Sequence, residues 1–324
     1  MILAAGYGER LWPLTADRTK PALPVLGKPL VGYVAEYLAR FGIRDVVVNL
    51  HHRPESVQSS LGDGSAFRVN LKYVHEPKIL GTSGALDNAR DLLDRETFVV
   101  INGKLITDID LNAALKVHRE RNALATLVLL RNSKFEKFSM VETNDGLVTG
   151  FHGMPTQSAV TPADEAPLMF TGIQILEPRI FDYIPRGVFS HSTVDVYPQA
   201  IAKGERIVAH VATGMWYELS TLQRYLDISL ALLKLEGRDV YIGRNASIDP
   251  SAGVSESVLW NDVTIEPNAK LERTIAGDGV RIAEGEQFHN AVIVRADLVA
   301  GKTRPAKALK GTFAGEKFVV PLSQ

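Results

Sequence analysis

Short apolar runs and amphipathic segments alternate along the chain as far as about residue 230. Runs rich in Val, Ile and Leu predict strands, whereas apolar residues spaced three or four apart predict helices. Pro54 stands in the first turn of one predicted helix, where its missing N–H costs nothing, and Asp110 is a candidate N-cap for another. The pattern predicts strands at 1–4, 45–50, 71–74, 97–102 and 125–130, and helices at 31–41, 54–61, 84–93 and 111–120.

Strands separated by helices predict an α/β fold with a Rossmann-like, mainly parallel sheet and helices on both of its faces. Ligands of such sheets bind at the carboxyl ends of the strands. The loop after the first strand, the loop at Asn102 and the loop from Glu76 to Gly84 all lie at that edge. We therefore expect the functional site there.

The pattern changes from about Tyr241 onward. Ile242, Ile248 and Val254 are six residues apart, and apolar residues continue less regularly as far as Ile282. A six-residue apolar period among Gly, Asn and Asp is typical of a hexapeptide-repeat β-helix, and a small β-domain with chance spacing is the alternative. About four coils fit, so we expect another surface to cover the open end, which favours self-association.

A chain of 324 residues is long enough for one large domain and a smaller one. We predict the α/β domain over 1–236 and the repeat domain over 237–300. The remaining segment, 301–324, is rich in Lys and aperiodic, and is predicted to be a solvated tail.

Composition excludes several classes of protein. A net charge of −1 gives no support for binding to nucleic acid or to a membrane surface. No apolar run approaches the length of a transmembrane helix, and the start of the chain lacks the basic region of a signal peptide. Without cysteine, the chain forms neither disulfides nor thiolate metal sites. We expect a cytoplasmic protein.

The glycine turn after the first strand indicates an anionic ligand. It reads Leu3-Ala4-Ala5-Gly6-Tyr7-Gly8-Glu9-Arg10, and Lys20-Pro21 follows on the same loop. Glycines let the backbone approach a ligand, successive N–H groups form an anion-binding concavity, and Arg10 and Lys20 add two cations. A dinucleotide fingerprint has a glycine where Leu11 stands, and no Walker A sequence occurs. The turn predicts a bound nucleoside triphosphate, with an ordinary strand-to-helix turn as the alternative.

The same residues, followed by Pro13-Leu14-Thr15, resemble the signature of the sugar-1-phosphate nucleotidylyltransferases. The chain is most similar to the mannose-1-phosphate guanylyltransferase-like members with a C-terminal left-handed β-helix. The resemblance implies the formation of an NDP-sugar and pyrophosphate from a nucleoside triphosphate and a sugar 1-phosphate, with GTP and mannose 1-phosphate favoured. It also implies catalytic roles for Arg10 and Lys20. The residues that it implies for nucleotide binding in this region are Leu3, Ala4, Ala5, Gly6, Gly8, Glu9, Arg10 and Lys20.

Two further blocks resemble those of the family. The stretch from Glu76 to Leu86 is similar to the block that contacts the base, although a glycine-rich helix start is the alternative. Thr171-Gly172 resembles the block beside the sugar, and simple strand packing explains it equally. The resemblance implies nucleotide binding by Glu76, Gly81, Thr82, Gly84 and Asn102, and sugar binding by Thr171 and Gly172.

The chain departs from the family at the metal positions. Lys104 and Glu218 stand where the family has two metal-binding aspartates. The family implies Mg²⁺, but an ammonium cannot ligate it, and Glu218 is a weak candidate ligand. Asp108 and Asp110 are better explained as a loop residue and a helix cap than as replacement ligands. Gly153-Met154-Pro155 also stands where the family has Glu-Lys-Pro.

These departures leave two interpretations open. An active nucleotidyltransferase would bind a nucleoside triphosphate and a sugar 1-phosphate, as a homo-oligomer. A catalytically impaired relative would bind the nucleotide and regulate an active paralogue, pairing with it through the β-helix. A hexapeptide acyltransferase is a weaker third interpretation, with His289 as its candidate catalytic residue.

Overall fold

The computed structural model describes residues 1–152 and 166–322. No helix in these ranges is both long and apolar enough to cross a membrane. The α-helices are α1 (Leu30–Arg40), α2 (Pro54–Leu61), α3 (Gly81–Asn88), α4 (Arg90–Leu93), α5 (Leu111–Glu120), α6 (Tyr197–Ala202), α7 (Leu222–Leu235) and α8 (Ala296–Val299). The strands are β1 (Ile2–Leu3), β2 (Pro24–Val25), β3 (Lys28–Pro29), β4 (Asp45–Leu50), β5 (Asn70–His75), β6 (Phe98–Asn102), β7 (Leu105–Thr107), β8 (Ala125–Arg131), β9 (Met140–Asn144), β10 (Leu147–His152), β11 (Leu168–Leu176), β12 (Ile207–Val211), β13 (Trp216–Glu218), β14 (Val240–Ile242), β15 (Ser247–Ile248), β16 (Gly253–Ser255), β17 (Ser257–Leu259), β18 (Thr264–Ile265), β19 (Lys270–Ala276), β20 (Arg281–Ile282), β21 (Gln287–Arg295), β22 (Thr312–Ala314) and β23 (Lys317–Pro321).

The chain folds into two compact units that interleave along the sequence. The first unit comprises Met1–Ala5, Val34–Pro54 and Leu61–Trp216. The second unit comprises Gly6–Tyr33, Glu55–Ser60 and Tyr217–Gln324. From Gly6 onward the glycine turn therefore groups with the C-terminal segments, whereas its first residues, up to Ala5, group with the sheet. Domain boundaries at residues 236 and 300 stay a prediction.

The first unit is built on a nine-stranded sheet in the order β5-β4-β1-β6-β11-β8-β12-β10-β9. The pairs β5–β4, β4–β1, β1–β6 and β8–β12 are parallel. β11 is antiparallel to both β6 and β8, and β9 is antiparallel to β10. The sheet is thus mixed, which corrects the prediction of a mainly parallel one. Asp145 and Gly146, both with positive φ, join β9 to β10 in a tight turn, and only an antiparallel pair accepts such a turn.

The alternating pattern predicted several elements of the first unit correctly. β4 and α5 have the predicted bounds. Asp110 caps α5, its carboxylate accepting a hydrogen bond of 2.9 Å from the backbone N–H of Asn112. All residues of β4 after Asp45 are buried, as expected for a strand paired on both edges. The helix predicted at 84–93 begins earlier, at Gly81, and is interrupted at Ala89.

The C-terminal part of the second unit consists of parallel ladders whose partners are 17 residues apart. Successive apolar rows are six, six and five residues apart along the chain. The five-residue step explains why the six-residue period becomes irregular after Val254. The first row stacks Ile242, Leu259, Ala276 and Ile293, the second Ile248, Ile265 and Ile282, and the third Val254, Leu271 and Phe288.

The prediction of a solvated tail after residue 300 is wrong. β22 pairs with β23, and β23 pairs antiparallel with β21, from Ala291 opposite Pro321 to Arg295 opposite Lys317. The side chain of Phe318 is buried there. A five-residue strand among lysines is too short to stand out by periodicity. The chain's own β23 covers the free edge of β21, so a second copy is not needed at that edge.

Candidate functional site

Leu3, Asn49 and Asn102 lie side by side at the carboxyl ends of β1, β4 and β6. β1 lies between β4 and β6, and Leu3 is in register with both asparagines. Parallel strands present these ends at one edge of a sheet, where ligands bind. The structure thus brings two predicted residues, Leu3 and Asn102, together with Asn49, which carried no signal in the sequence.

Glu76 has a buried carboxylate with both oxygens engaged. Its Oε1 accepts a hydrogen bond of 2.5 Å from the Asn49 side-chain amide, and its Oε2 accepts one of 3.0 Å from the backbone N–H of Leu80. The Asn49 amide oxygen in turn accepts a bond of 2.8 Å from the backbone N–H of Ala4. Glu76 therefore ties its own loop to the end of β1, which is a role in ordering the backbone. A direct contact with the nucleotide stays a prediction.

Gly81 and Gly84 are required by another segment of the chain. Gly81 has φ +79°, and a Cβ there would lie 2.3 Å from the backbone oxygen of Ser190. A Cβ on Gly84 would lie 2.7 Å from the backbone oxygen of Val188. Thr82 extends the contact, since its hydroxyl accepts a hydrogen bond of 2.9 Å from the N–H of Ser192. The glycines thus admit residues 188–192, and base binding on the same block stays a prediction.

Asp87 secures the segment that leads into residues 188–192. It accepts hydrogen bonds from the backbone N–H of Gly187 at 2.7 Å, from Arg186 at 3.2 Å and from Arg90 at 3.0 Å. Burial alone would raise the pKa of Asp87, but the Gly187 hydrogen bond and the two guanidinium groups lower it overall. An ionised Asp87 therefore orders the segment that covers the glycine block.

Gly172, in the block that resembles the family's sugar-binding block, packs against Asn102, a predicted nucleotide-binding residue. Gly172 has φ +83°, and a Cβ there would lie 2.1 Å from the side-chain nitrogen of Asn102. The strand register of β11 shifts at this point, between Phe170 and Ile173. The hydroxyl of Thr171 is buried and donates to the backbone oxygen of Val128 at 2.7 Å. Sugar binding by Thr171 and Gly172 stays a prediction, and the Thr171 hydroxyl already has an internal partner.

Lys104 follows directly after this edge. The N–H of Gly103 donates to the backbone oxygen of Leu3 at 2.8 Å, and a Cβ on Gly103 would lie 2.9 Å from the same oxygen. The close approach of β1 therefore fixes the backbone just before Lys104. The Lys104 side chain is half-buried. A cation thus stands at the position that the family resemblance assigns to a metal ligand.

The residues of the glycine turn from Gly6 onward lie with Lys20 in the second unit. Gly8 has φ +70°, and a Cβ there would lie 2.9 Å from the Cβ of Lys20 and 3.4 Å from the side chain of Thr15. Its backbone oxygen accepts a hydrogen bond of 2.9 Å from the N–H of Leu11, which closes the turn. A Cβ on Gly6 would meet no heavy atom of the described residues within 4 Å, and Arg10 is exposed. The turn therefore has open space beside Gly6 and two cationic residues, Arg10 and Lys20, which suits an anionic ligand.

The residues present do not fit the metal site that the family implies. Glu218 is buried, 8% exposed, and its backbone oxygen accepts a hydrogen bond of 3.0 Å from Arg224. Asp108 accepts a bond of 2.6 Å from the N–H of Met215, consistent with a loop residue. Among residues 1–152 and 166–322, no group of three His, Cys, Asp or Glu side chains could hold a metal ion. Gly153-Met154-Pro155 lies outside the described residues.

Comparison with known proteins identifies the family. The nucleotidyl transferase family matches residues 1–234. The chain belongs to this family. The match confirms the resemblance found in the glycine turn and its following blocks, and it makes the chain an enzyme of the nucleotidyltransferase type.

Curated nucleotidyl transferases align with most of the chain. A UTP–glucose-1-phosphate uridylyltransferase from Synechocystis is 30% identical over 298 residues, covering 87% of this chain and 76% of that protein. A mannose-1-phosphate guanylyltransferase from Mycobacterium tuberculosis is 28% identical over 297 residues, covering 88% and 81%. A solved structure, of a putative glucose-1-phosphate thymidylyltransferase from Bacillus anthracis, has a TM-score of 0.62 at 24% identity, covering 71% of this chain and 93% of that one. The structural likeness supports the mixed α/β fold.

Proposed function

We propose that this nucleotidyl transferase forms an NDP-sugar and pyrophosphate from a nucleoside triphosphate and a sugar 1-phosphate. The observation that carries the proposal is the glycine turn, in which Gly8 packs on Lys20 and exposed Arg10 follows two residues after Gly8. Relatives named as mannose-1-phosphate and glucose-1-phosphate enzymes support the substrate class. GTP with mannose 1-phosphate is our preferred pair, and UTP with glucose 1-phosphate is the nearest alternative.

The reaction needs charge neutralisation more than covalent chemistry. A phosphate oxygen of the sugar 1-phosphate forms a bond to the α-phosphorus of the triphosphate. The bond from that phosphorus to the bridging oxygen breaks, and pyrophosphate leaves with the electron pair. Arg10 and Lys20 would stabilise the charge on the phosphates, with the open backbone of the turn as further donors. The block from Glu76 to Leu86 would seat the base.

A second candidate function follows from Lys104. An ammonium at a family metal position supplies positive charge without ligating Mg²⁺. If the charge suffices, the enzyme turns over with Lys104 on the triphosphate. If it does not, the chain is a nucleotide-binding relative that regulates an active paralogue. The donor set at this position, with an ammonium in place of a carboxylate, does not fit Mg²⁺.

Release of pyrophosphate tests the proposal. Wild type is assayed with GTP, UTP, dTTP and ATP, each with mannose 1-phosphate and glucose 1-phosphate. We expect turnover with one preferred pair, and a loss of about 100-fold or more in Lys20→Gln. Lys72→Gln, at an exposed lysine of β5, is the matched control and should retain the wild-type rate.

The outcomes separate the two candidates. A melting temperature that rises with nucleotide, without pyrophosphate release from any pair, would favour the regulatory relative. If no nucleotide raises the melting temperature of wild type, both candidates fail.

We also propose that the parallel ladders of the second unit form a left-handed β-helix. The constant 17-residue offset and three apolar rows support it. Homo-oligomerisation, or pairing with a paralogue, and a cytoplasmic location remain predictions from the sequence.

A further inference from the structure

The loop segment, defined as residues 8–30, is packed against the C-terminal part of its own unit along most of its length. The rings of Trp12 and Phe318 meet edge to face at 5.2 Å between centroids. The Lys302 ammonium donates to the backbone oxygen of Ala16 at 3.0 Å. Further along, the Tyr225 hydroxyl donates to the backbone oxygen of Pro24. Residues far apart in sequence therefore form the support on which the predicted triphosphate loop rests.

Arg18 is the centre of this contact. Its guanidinium pairs with Asp17 through two hydrogen bonds, of 2.9 and 3.0 Å, and with the Asp278 carboxylate at 2.8 Å. Its guanidinium carbon lies over the Trp260 ring, 5.2 Å from the ring centroid. The other oxygen of Asp278 accepts a hydrogen bond of 3.1 Å from the N–H of Asn261. Arg18 is thus held by two carboxylates and an aromatic face, and Asp278 is itself oriented by the backbone.

Arg18 stands two residues before Lys20. The intervening Thr19 is buried, and its N–H and hydroxyl both lie 3.1 Å from the Ser56 hydroxyl. The Cβ of Lys20 lies so close to Gly8 that no side chain fits there. Because the segment between them is short and held by these contacts, a displacement of Arg18 would also displace Lys20 and the glycine turn.

We propose that Asp278 is a positioning residue for triphosphate binding: it fixes Arg18, and through Arg18 the placement of Lys20 against Gly8. The inference rests on the proposed function, because it assumes that Lys20 and the turn bind the triphosphate. It assigns the C-terminal ladders a part in nucleotide affinity, in addition to any role in assembly. As a positioning residue, Asp278 would act through Arg18 and not by contact with a substrate.

Asp278→Asn tests the proposal, with Glu266→Gln as the matched control. Both residues lie in the C-terminal ladders, both pair with an arginine, and both accept a backbone N–H, Asp278 from Asn261 and Glu266 from Glu284. Of these two, Asp278 alone pairs with the loop segment. Arg18 keeps Asp17 in the variant, so the fold should persist. The measurements are the Kd of GTP, UTP and dTTP from titration, and the KM of both substrates in pyrophosphate release.

We expect Asp278→Asn to raise the Kd and KM of the preferred nucleotide by about fivefold, with the KM of the sugar 1-phosphate unchanged. Asp278→Glu should recover part of the loss, and Glu266→Gln should match wild type. Backbone amides of residues 11–20 should exchange hydrogen faster in Asp278→Asn only.

Two results would overturn the inference, and they are distinct. If wild type binds and uses nucleotide while Asp278→Asn shows the same nucleotide Kd and KM as Glu266→Gln, Asp278 has no positioning role and the proposed function stands. If wild type binds none of the three nucleotides, the proposed function itself fails, and the inference with it.

Discussion

The side chains of Asn49 and Glu76 are joined by a hydrogen bond of 2.5 Å in the interior of the first unit. Asn49 also accepts the N–H of Ala4, so one amide connects the end of β1 with the loop after β5. A buried carboxylate costs several kcal/mol unless it is paired, and this amide is one of its two partners. Asn49 therefore supports the loop on which base recognition is proposed.

Asn49→Ala should lower the free energy of unfolding by about 2–4 kcal/mol, because it leaves Glu76 short of a donor and Ala4 without an acceptor. Urea unfolding measures the change. Asn70→Ala is the control, since Asn70 makes an exposed side-chain hydrogen bond to Asp45, and should cost less than about 0.5 kcal/mol. The double variant Asn49→Ala/Glu76→Gln should be less destabilised than the two single losses predict together. Equal losses in the Asn49 and Asn70 variants would contradict this role.

Gly172→Ala should disturb the edge of the sheet. Its backbone has φ +83°, and its Cβ would meet the Asn102 side chain at 2.1 Å. Gly204 is a matched control, with φ +83° and no atom of the described chain within 4 Å of its Cβ position. We expect about 1 kcal/mol lost in Gly204→Ala from backbone strain, and about 3 kcal/mol or more in Gly172→Ala. Thermal and urea unfolding measure the loss of stability in both variants. Similar losses would show that the Asn102 side chain moves away from the new Cβ at no measurable cost in free energy.

His118 should make stability depend on pH. It is buried, with Nδ1 2.8 Å from the Thr126 hydroxyl and Nε2 2.9 Å from Glu177. Burial lowers the pKa of His118 below its ordinary value of 6.5, despite the opposing effect of Glu177. The unfolded chain then binds the proton first, so the free energy of unfolding should fall as pH drops below about 6.5.

Urea unfolding between pH 7.5 and 5.5 measures this slope, which is at most about 1.4 kcal/mol per pH unit for one proton. His118→Gln should flatten the curve. His152→Gln, at a histidine whose side chain is 47% exposed, controls for the removal of a histidine. If the free energy of unfolding of His118→Gln depends on pH as steeply as that of wild type, a group other than His118 takes up the proton on unfolding.

Lys104→Asp should change the response to divalent metal. An added carboxylate would supply a ligand where the ammonium repels Mg²⁺. We expect Mn²⁺, measured by electron paramagnetic resonance with GTP present, to bind about tenfold more tightly in Lys104→Asp than in wild type. Lys72→Asp controls for the change of net charge at an exposed site. Equal Mn²⁺ affinity in all three proteins would show that residue 104 does not occupy a metal-binding position.

Local signals in the sequence predicted local structure well. The N-cap at Asp110 and the apolar run of β4 depend on neighbouring residues only, and both were confirmed. Gly8 also packs on Lys20, which follows it on the same loop, but the binding of an anion there stays a prediction.

Features that depend on distant segments were missed. Nothing in the 76–86 block itself indicated that residues 188–192 pack against Gly81 and Gly84. The antiparallel direction of β11 could not be predicted, because a run of buried apolar residues is compatible with either a parallel or an antiparallel strand. The short β23 was not predicted, because it lies in a lysine-rich segment and its apolar residues become buried only when it pairs with β21.

The residues that support the loop segment lie far from it in the sequence. Arg18 pairs with a carboxylate 260 positions further on, and the backbone oxygen of Ala16 accepts from an ammonium 286 positions away. A ribosome adds residues one at a time from the N-terminus, so the loop segment is made before the residues that support it, and it can adopt its packed form only after they have emerged. A growing chain therefore cannot hold the loop segment in its packed form until Asp278 and Lys302 have been synthesised, and the proposed nucleotide binding would begin only after that point.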